Sequence, residues 1–309
     1  MPMSSDLDFC NRWDAPVLPW AQDLLQGAIR AVIGRKAEIT AFRALGGRSL
    51  RIDIRVSGVP QQVVALRQRQ EDIRMCLPLG EEHALLRFLA QETPALAIHP
   101  LGFWPGAPGA TEPLLFVEWS DGQRLGEFID PAQRPEEVLG LLTPALKALH
   151  LIGAHRNRPA LARRIGTDLM LQWAETGQPP QADIANSTWV RALERVRCAL
   201  QAVSPPTMLH GDGHAYNLLV AAGGQRWIDF ECAVEGPPEM DFAWTWIMLH
   251  AQATRPLSGL IRSPPQLACD ILAASDFVRQ PPTHVNRAAV IRVQDLLRTT
   301  VRNLLTTAG

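Results

Sequence analysis

The sequence predicts an α+β fold in two lobes, and three observations lead there. Alternating apolar residues gather in roughly the first 120 positions, long apolar stripes of helical period fill most of the remainder, and a polar, glycine-containing stretch at 205–231 interrupts those stripes. These shifts divide the chain into a sheet-rich N-lobe over 1–120 and a mainly helical C-lobe over 121–309. With 309 residues, 47% of them hydrophobic and 20% charged, the chain is long enough for two such units and is not of disordered composition.

The elements follow in order. A helix is expected from about Pro19, with Leu24, Leu25, Ala28, Ile29 and Val32 at i, i+3, i+4 spacing. Ile39 to Leu45 reads as a strand leading into Gly46-Gly47, after which Leu50, Ile52, Ile54 and Val56 alternate with Arg51, Asp53 and Arg55 as a half-buried strand does. A turn at Ser57-Gly58-Val59-Pro60 introduces a third strand, Val63 to Arg67, in an antiparallel meander. Residues 80–91 form a helix with Leu85, Leu86 and Leu89 on one face, and 114–117 a further strand ended by Asp121-Gly122. In the C-lobe, Pro135 opens a helix that turns Val138, Leu142, Ala145, Leu146 and Leu149 inward. Helices are expected at 159–174 and 187–203, short apolar runs at 208–209, 218–220 and 227–228, and helices again at 241–253, 265–279 and 285–306.

Composition limits the partners. A net charge of −1 gives no overall attraction for nucleic acid or an acidic membrane, so neither is expected as a partner. No apolar run is long enough to span a bilayer, and Asp6 and Asp8 stand where a secretory leader carries basic and apolar residues, so the expected location is the cytoplasm. Cys10, Cys76, Cys198, Cys232 and Cys269 are scattered and form no CxxC pair, which reads as small hydrophobes in a reducing compartment. Only Lys36 and Lys147 are lysines, so nearly all positive charge is arginine.

The densest polar cluster is His210-Gly211-Asp212-Gly213-His214-Ala215-Tyr216-Asn217, and Asp229 follows the strand-like Trp227-Ile228. A carboxylate, an amide and a second carboxylate on loop ends suit magnesium, which takes oxygen ligands. In phosphoryl transfer one Asp accepts the proton of the attacking hydroxyl while an Asn and another Asp hold metal. That division makes Asp212 the base and Asn217 and Asp229 the ligands.

His210-Gly211-Asp212 with Asn217, Ile228-Asp229-Phe230-Glu231, and Asp241 after Gly236-Pro237-Pro238 together resemble the aminoglycoside phosphotransferase family. These are small-molecule kinases with a bilobal, protein-kinase-like fold, and choline kinases are relatives. The helix at Glu82-His83-Ala84-Leu85 is similar to the family's small-lobe helix, whose Glu pairs with the phosphate-binding cation. Val117-Glu118-Trp119-Ser120 is similar to the hinge that offers backbone groups to adenine, and Leu146-Lys147-Ala148-Leu149-His150 to the helix end behind the catalytic loop.

The resemblance implies ATP as co-substrate with Mg²⁺. Its adenine would lie at Glu118 and Trp119, and its phosphates under Gly46, Gly47 and Ser49 and near Arg67. No lysine lies on the third strand, so Arg67 becomes the phosphate anchor and the partner of Glu82; a guanidinium can fork onto two oxygens. His210 is expected to brace the loop, and Asp241 to start a helix as a cap.

Two other readings stay open. His210, Asp212 and His214 spell H-x-D-x-H, which on a strand would place three ligands on one face for a metal-dependent hydrolase. A kinase-fold protein that binds nucleotide without turnover is the other. The resemblance implies a small-molecule hydroxyl as acceptor. From Phe242 onward seven arginines stand against three aspartates, which disfavours a polycationic aminoglycoside and allows a neutral or anionic alcohol, whereas Asp168, Glu175, Asp183, Glu235 and Glu239 are residues able to line a cationic site.

Overall fold

The computed structural model describes residues 19–46, 48–68, 76–106, 113–161, 163–166, 169–170, 172, 184–254, 257, 262–279, 281 and 285–307. The chain forms two compact units, one running to Gly122 and taking in Ala221–Cys232, the other comprising Gln123–Val220 and Ala233 onward.

In the first unit, α1 (Pro19–Val32) precedes three strands, β1 (Ala37–Gly46), β2 (Ser49–Val56) and β3 (Val59–Arg67). Then come α2 (Leu79–Glu92), β4 (Pro100–Trp104) and β5 (Leu114–Glu118). The five strands make one antiparallel sheet in the order β1-β2-β3-β5-β4. Alternation in β2 puts Leu50, Ile52 and Ile54 inside, where they share a core with Ala65, Phe116 and the α1 residues Leu25, Ala28 and Ile29. The α2 stripe predicted from its leucines also carries Glu82, which is fully buried with Leu85, Leu86 and Leu89. Strand β4 was not expected, because Pro100 and Gly102 break its pattern. Gly102 is there for space, since a Cβ on it would sit 2.5 Å from Val32 Cγ1.

Residues 221–232 belong to this unit, although a single cut after 120 would assign them to the other. Three backbone bonds tie them in: Ile98 N to Trp227 O (3.1 Å), Trp227 N to Leu96 O (2.8 Å) and Leu77 N to Glu231 O (2.6 Å). The segment contains β9 (Gly224–Trp227) and a single 3-10 turn, Phe230–Cys232.

The second unit begins with β6 (Gln123–Arg124), α3 (Leu125–Phe128) and α4 (Pro135–Gly153). It continues through α5 (Asn186–Leu200), β7 (Thr207–Leu209), a 3-10 turn at Ala215–Asn217, β8 (Leu218–Ala221) and β10 (Val234–Gly236). It ends with α6 (Pro238–Gln252), α7 (Pro264–Arg279) and α8 (Arg287–Thr306). Helices α5 to α8 share one core, in which α7 is apolar nearly all round and Ala268, Ala273 and Ala274 let its neighbours approach closely. Strand β7 pairs with β10, Leu209 opposite Val234, and β6 pairs with β8.

The helix expected over 159–174 is corrected in part. Residues 159–161 and 163–166 are not helical, and Arg164 bridges to Glu235, whereas 169, 170 and 172 are helical. Pro159, with no N–H to give, and Gly166 explain the irregular stretch. Helix α6 starts at Pro238 rather than 241, with proline in the first turn, where its missing N–H costs nothing. Among the described residues no helix is long and apolar enough to cross a membrane.

Candidate active site

The catalytic-loop candidate grows from β7. Its three residues are buried, and the chain leaves the strand at His210 through Gly211, whose φ of +77° suits glycine. The loop is held from below by Asp241, fully buried in the first turn of α6. Its Oδ2 accepts from His150 Nε2 (2.9 Å) and His210 N (2.9 Å), and its Oδ1 from Gly211 N (3.0 Å). Thr245 Oγ1 donates to Gly213 O (2.7 Å). Asp241 is therefore a brace for the loop and not the helix cap expected. Burial pushes its carboxyl up, but His150 and the His210 backbone and ring together hold it below the usual range.

Asp212 sits on that braced loop with 39% of its side chain exposed. Asn217 Nδ2 donates to its backbone O (2.9 Å) and to its Oδ2 (3.0 Å), and His214 Nε2 lies 3.3 Å from the same Oδ2. Tyr216 N donates to His214 Nδ1 (3.1 Å), so a neutral ring carries its proton on Nε2, facing Asp212. Burial pushes the Asp212 carboxyl up, but the His214 hydrogen bond, the charges of His214 and His210, and the Asn217 amide bring it below the usual range. Asp212 is thus held as a carboxylate with Oδ1 turned away from these partners. Asn217 gives its amide nitrogen to Asp212.

The H-x-D-x-H reading does not survive this geometry. Gly211 breaks any strand, His210 is fully buried, and its Nδ1 accepts from Asp212 N (3.3 Å). Among the described residues the group that gathers metal-capable atoms within 4.8 Å is instead Cys76, Glu231 and Cys232. Two of the cysteines expected to be scattered are therefore brought together.

In the first unit the polar centre is Arg48, a residue the sequence reading passed over. It occupies the two-residue loop of the β1–β2 hairpin, closed by the pairing of Gly46 with Ser49; Gly47 lies outside the described residues. The guanidinium grips Glu82 with two bonds of 2.7 Å, Nη1 to Oε2 and Nη2 to Oε1. Nη2 and Nε reach Asp229 Oδ1 at 2.6 and 3.0 Å, and Nε lies 3.2 Å from Glu231 Oε2. Burial opposes its charge, yet the three carboxylates hold it protonated well above the ordinary arginine value.

The expected partnership of Glu82 with Arg67 is corrected: both Glu82 oxygens belong to Arg48. Arg67 is buried and stands directly across from Arg48, because Ser49 pairs with Leu66 and Arg67 N donates to Arg48 O (3.2 Å). A signal for Arg48 was present, since on a period of two it falls on the inward face of Leu50, Ile52 and Ile54. Asp229 adopts φ 63°, a left-handed conformation uncommon outside glycine, and its Oδ2 is left over by Arg48.

At the expected hinge two backbone N–H groups are already paired. Glu118 N donates to His99 O (2.9 Å) and Trp119 N to Gln62 O (3.3 Å), so neither N–H is offered to a ligand. Glu118 Oε1 accepts from Arg226 Nη1 (2.6 Å), and the Trp119 ring lies under the Arg51 guanidinium, 4.6 Å from its centroid. Part of the arginine excess after Phe242 is tied up in the fold, while Arg287 and Arg302 are exposed. Arg262 is bonded to Asp270, Arg298 to Asp295, and Arg292 to the carbonyls of His250 and Ala251; Arg255 lies outside the described residues. A cavity of about 810 Å³ in the second unit, lined by Lys147, His155, Arg156, Arg158 and Glu235 among others, includes none of the predicted site residues.

Comparison with known proteins agrees with this architecture. The phosphotransferase enzyme family matches the chain over residues 65–264. No curated protein matches it. Among solved structures, a thermostable variant of aminoglycoside phosphotransferase APH(4)-Ia, in ternary complex with ADP and hygromycin B, is 13% identical with a TM-score of 0.55, over 91% of this chain and 98% of that one. A choline/ethanolamine kinase family protein from Mesorhizobium loti is 15% identical with a TM-score of 0.54, over 92% and 95%. Amicoumacin kinase hAmiN, in complex with AMP-PNP, Ca²⁺ and Ami, is 11% identical with a TM-score of 0.52, over 89% of each chain. At these identities the likeness is one of fold, a protein-kinase-like α+β fold. The family match covers well over half of the residues, and the chain belongs to the phosphotransferase enzyme family.

Proposed function

We propose that this protein is an ATP- and Mg²⁺-dependent kinase that phosphorylates a hydroxyl of a small molecule. The observation that carries the reading is Asp212, kept as a carboxylate by Asn217 and His214 on a loop braced from beneath by Asp241. By type, the Asn217 amide oxygen and Asp229 Oδ2 are each hard oxygens of the kind magnesium takes, and neither is taken by the protein partners described above. Mg²⁺, when bound, offsets negative charge on the transferring phosphates.

Asp212 Oδ1 accepts a hydrogen bond from the acceptor hydroxyl and aims its oxygen at the γ-phosphorus. A bond from that oxygen to phosphorus forms as the bond to the leaving ADP oxygen breaks, and the hydroxyl proton passes to Asp212 and then to water. A carboxyl held low is a weak base, which suits a loose transition state in which the proton leaves late. The similarity to aminoglycoside, choline/ethanolamine and amicoumacin kinases supports a small alcohol as acceptor without choosing among them.

The test is thermal denaturation of the full chain with Mg²⁺ and ATP or GTP, followed by ADP release with a panel of alcohols. A nucleotide at 100 times its Kd adds about 2.7 kcal/mol, a readily measured rise in Tm. Asp212→Asn should keep that rise and lose about 10²- to 10⁴-fold in turnover. A chain whose Tm ignores both nucleotides, or an Asp212→Asn variant with wild-type turnover, overturns the proposal.

A further inference from the structure

We propose that Arg48, and not the third-strand Arg67, is the cation that binds the nucleotide's phosphates, and that without ligand its phosphate-binding edge is occupied by Asp229. The inference rests on the kinase reading above and assigns a residue within that same site.

The argument lies in how differently the three carboxylates around Arg48 are exposed. Glu82 is 0% and Glu231 5% exposed, while Asp229 is 29% exposed. The fork onto Glu82 is sealed: Nη1 and Nη2 meet its two oxygens in a buried, bidentate pair, which fixes the plane of the guanidinium. The adjacent edge, Nε and the second Nη2 hydrogen, points at one oxygen of the accessible Asp229, with the buried Glu231 Oε2 also 3.2 Å from Nε. An anion arriving from solvent can therefore compete for that edge without disturbing the sealed one.

Phosphate oxygens match the edge well, because two N–H groups side by side bind one or two of them in a geometry a lysine ammonium does not reproduce. Arg48 also carries the glycine-bearing hairpin turn on its own backbone, so this cation is part of the loop expected to cover phosphates.

A divalent cation and Arg48 compete for the Asp229 carboxylate, while Asp229 and the phosphates compete for Arg48. Drawing Asp229 toward a metal releases the Arg48 edge for phosphate. Metal and nucleotide then bind with positive coupling, and the coupling passes through this ion pair.

The experiment is calorimetric titration of ATP into the full chain, with Mg²⁺ or with EDTA, using wild type, Arg48→Lys, Arg67→Lys, Asp229→Gly and the double variant R48K/D229G. Glycine at 229 removes the carboxylate and suits the positive φ. Arg48→Lys should weaken Mg·ATP binding at least tenfold, and Arg67→Lys less than threefold. Asp229→Gly should tighten metal-free ATP at least threefold, and the gain should vanish in the double variant. If the gain persists there, it reflects only relief of carboxylate–phosphate repulsion, and the inference falls; it falls equally if Arg67→Lys is the more damaging change. Should Arg48→Lys fail to fold, R48Q/E82Q removes both charges of the sealed pair and must show the same tenfold loss. Wild type that binds no nucleotide sinks the kinase reading itself, whereas wild type that binds normally beside an unaffected Arg48→Lys sinks only this assignment.

Discussion

Replacing Asp241 by Asn tests whether the His210–Asn217 loop is held by a charge or only by shape. The aspartate accepts from His150 Nε2, His210 N and Gly211 N at 2.9 to 3.0 Å, fully buried. An asparagine of the same outline can keep its oxygen toward His150 and His210. It must then turn an N–H toward Gly211 N, donor against donor. One charge-assisted bond is lost and a buried donor is left unsatisfied, about 3–5 kcal/mol together. That is a large share of the roughly 5–15 kcal/mol that stabilises most domains.

Urea denaturation at pH 7, followed by circular dichroism, should show the unfolding free energy fall by that amount, as a lower midpoint at unchanged slope. The pH dependence has a definite sign. The folded Asp241 carboxyl is held below its unfolded value near 3.8, so its stabilisation is complete above that value and is lost as pH falls through the folded one. The gap between wild type and variant should persist from pH 7 to 5 and close at lower pH. A gap under 1 kcal/mol at pH 7, or one that closes between pH 7 and 5, refutes the brace.

Two further outcomes are expected. His250 packs edge-on against Trp246, and burial, offset in part by the Trp246 carbonyl and deepened by the Arg262 charge, lowers its imidazole from 6.5 to about 4. The unfolded chain takes up the proton first as pH falls from 6.5 toward 4, so stability drops by about 3 kcal/mol over that window, and His250→Leu should flatten the drop in paired denaturation curves. A Cβ at Gly153 would meet Met208 Cβ at 2.7 Å and Met208 N at 2.9 Å, whereas Gly140 on the same helix has nothing within 4 Å. Gly153→Ala should lower Tm, since overpacking of about 1–3 kcal/mol exceeds a helix-propensity gain of about 1, while Gly140→Ala should raise it; equal shifts would show that β7 yields freely to α4.

Period and spacing made much of this legible. Leu50, Ile52 and Ile54 announce the inner face of β2, the leucines of α2 its buried stripe, and the His210–Asn217 run its loop. What stayed hidden is partnership. Arg48 and Asp229 are 181 positions apart, and periodicity reports the face a side chain occupies but not what it meets there. The same limit concealed the return of 221–232 to the first unit, which rests on backbone bonds with no side-chain signature. Strand β4 was masked because Gly102 answers to the crowding of Val32 rather than to strand propensity. The helix expected over 159–174 shows the reverse error, an apolar spacing outweighed locally by Pro159 and Gly166.

The arginines of the β1–β2–β3 hairpins bear on how such proteins are found. Nucleotide reagents that carry an acylating group at the phosphate end register kinases by transferring it to a nearby amine. Here the inward cations at the tip of that sheet are guanidinium groups, which stay protonated and do not acylate at neutral pH. Lys36 lies just before β1, at the far end of that strand from the hairpin tip, about 30 Å away at the rise of an extended chain, and Lys147 is on α4 in the other unit. Under the function proposed above, surveys based on amine capture would pass over this chain, and arginine-directed dicarbonyl chemistry is the approach suited to it.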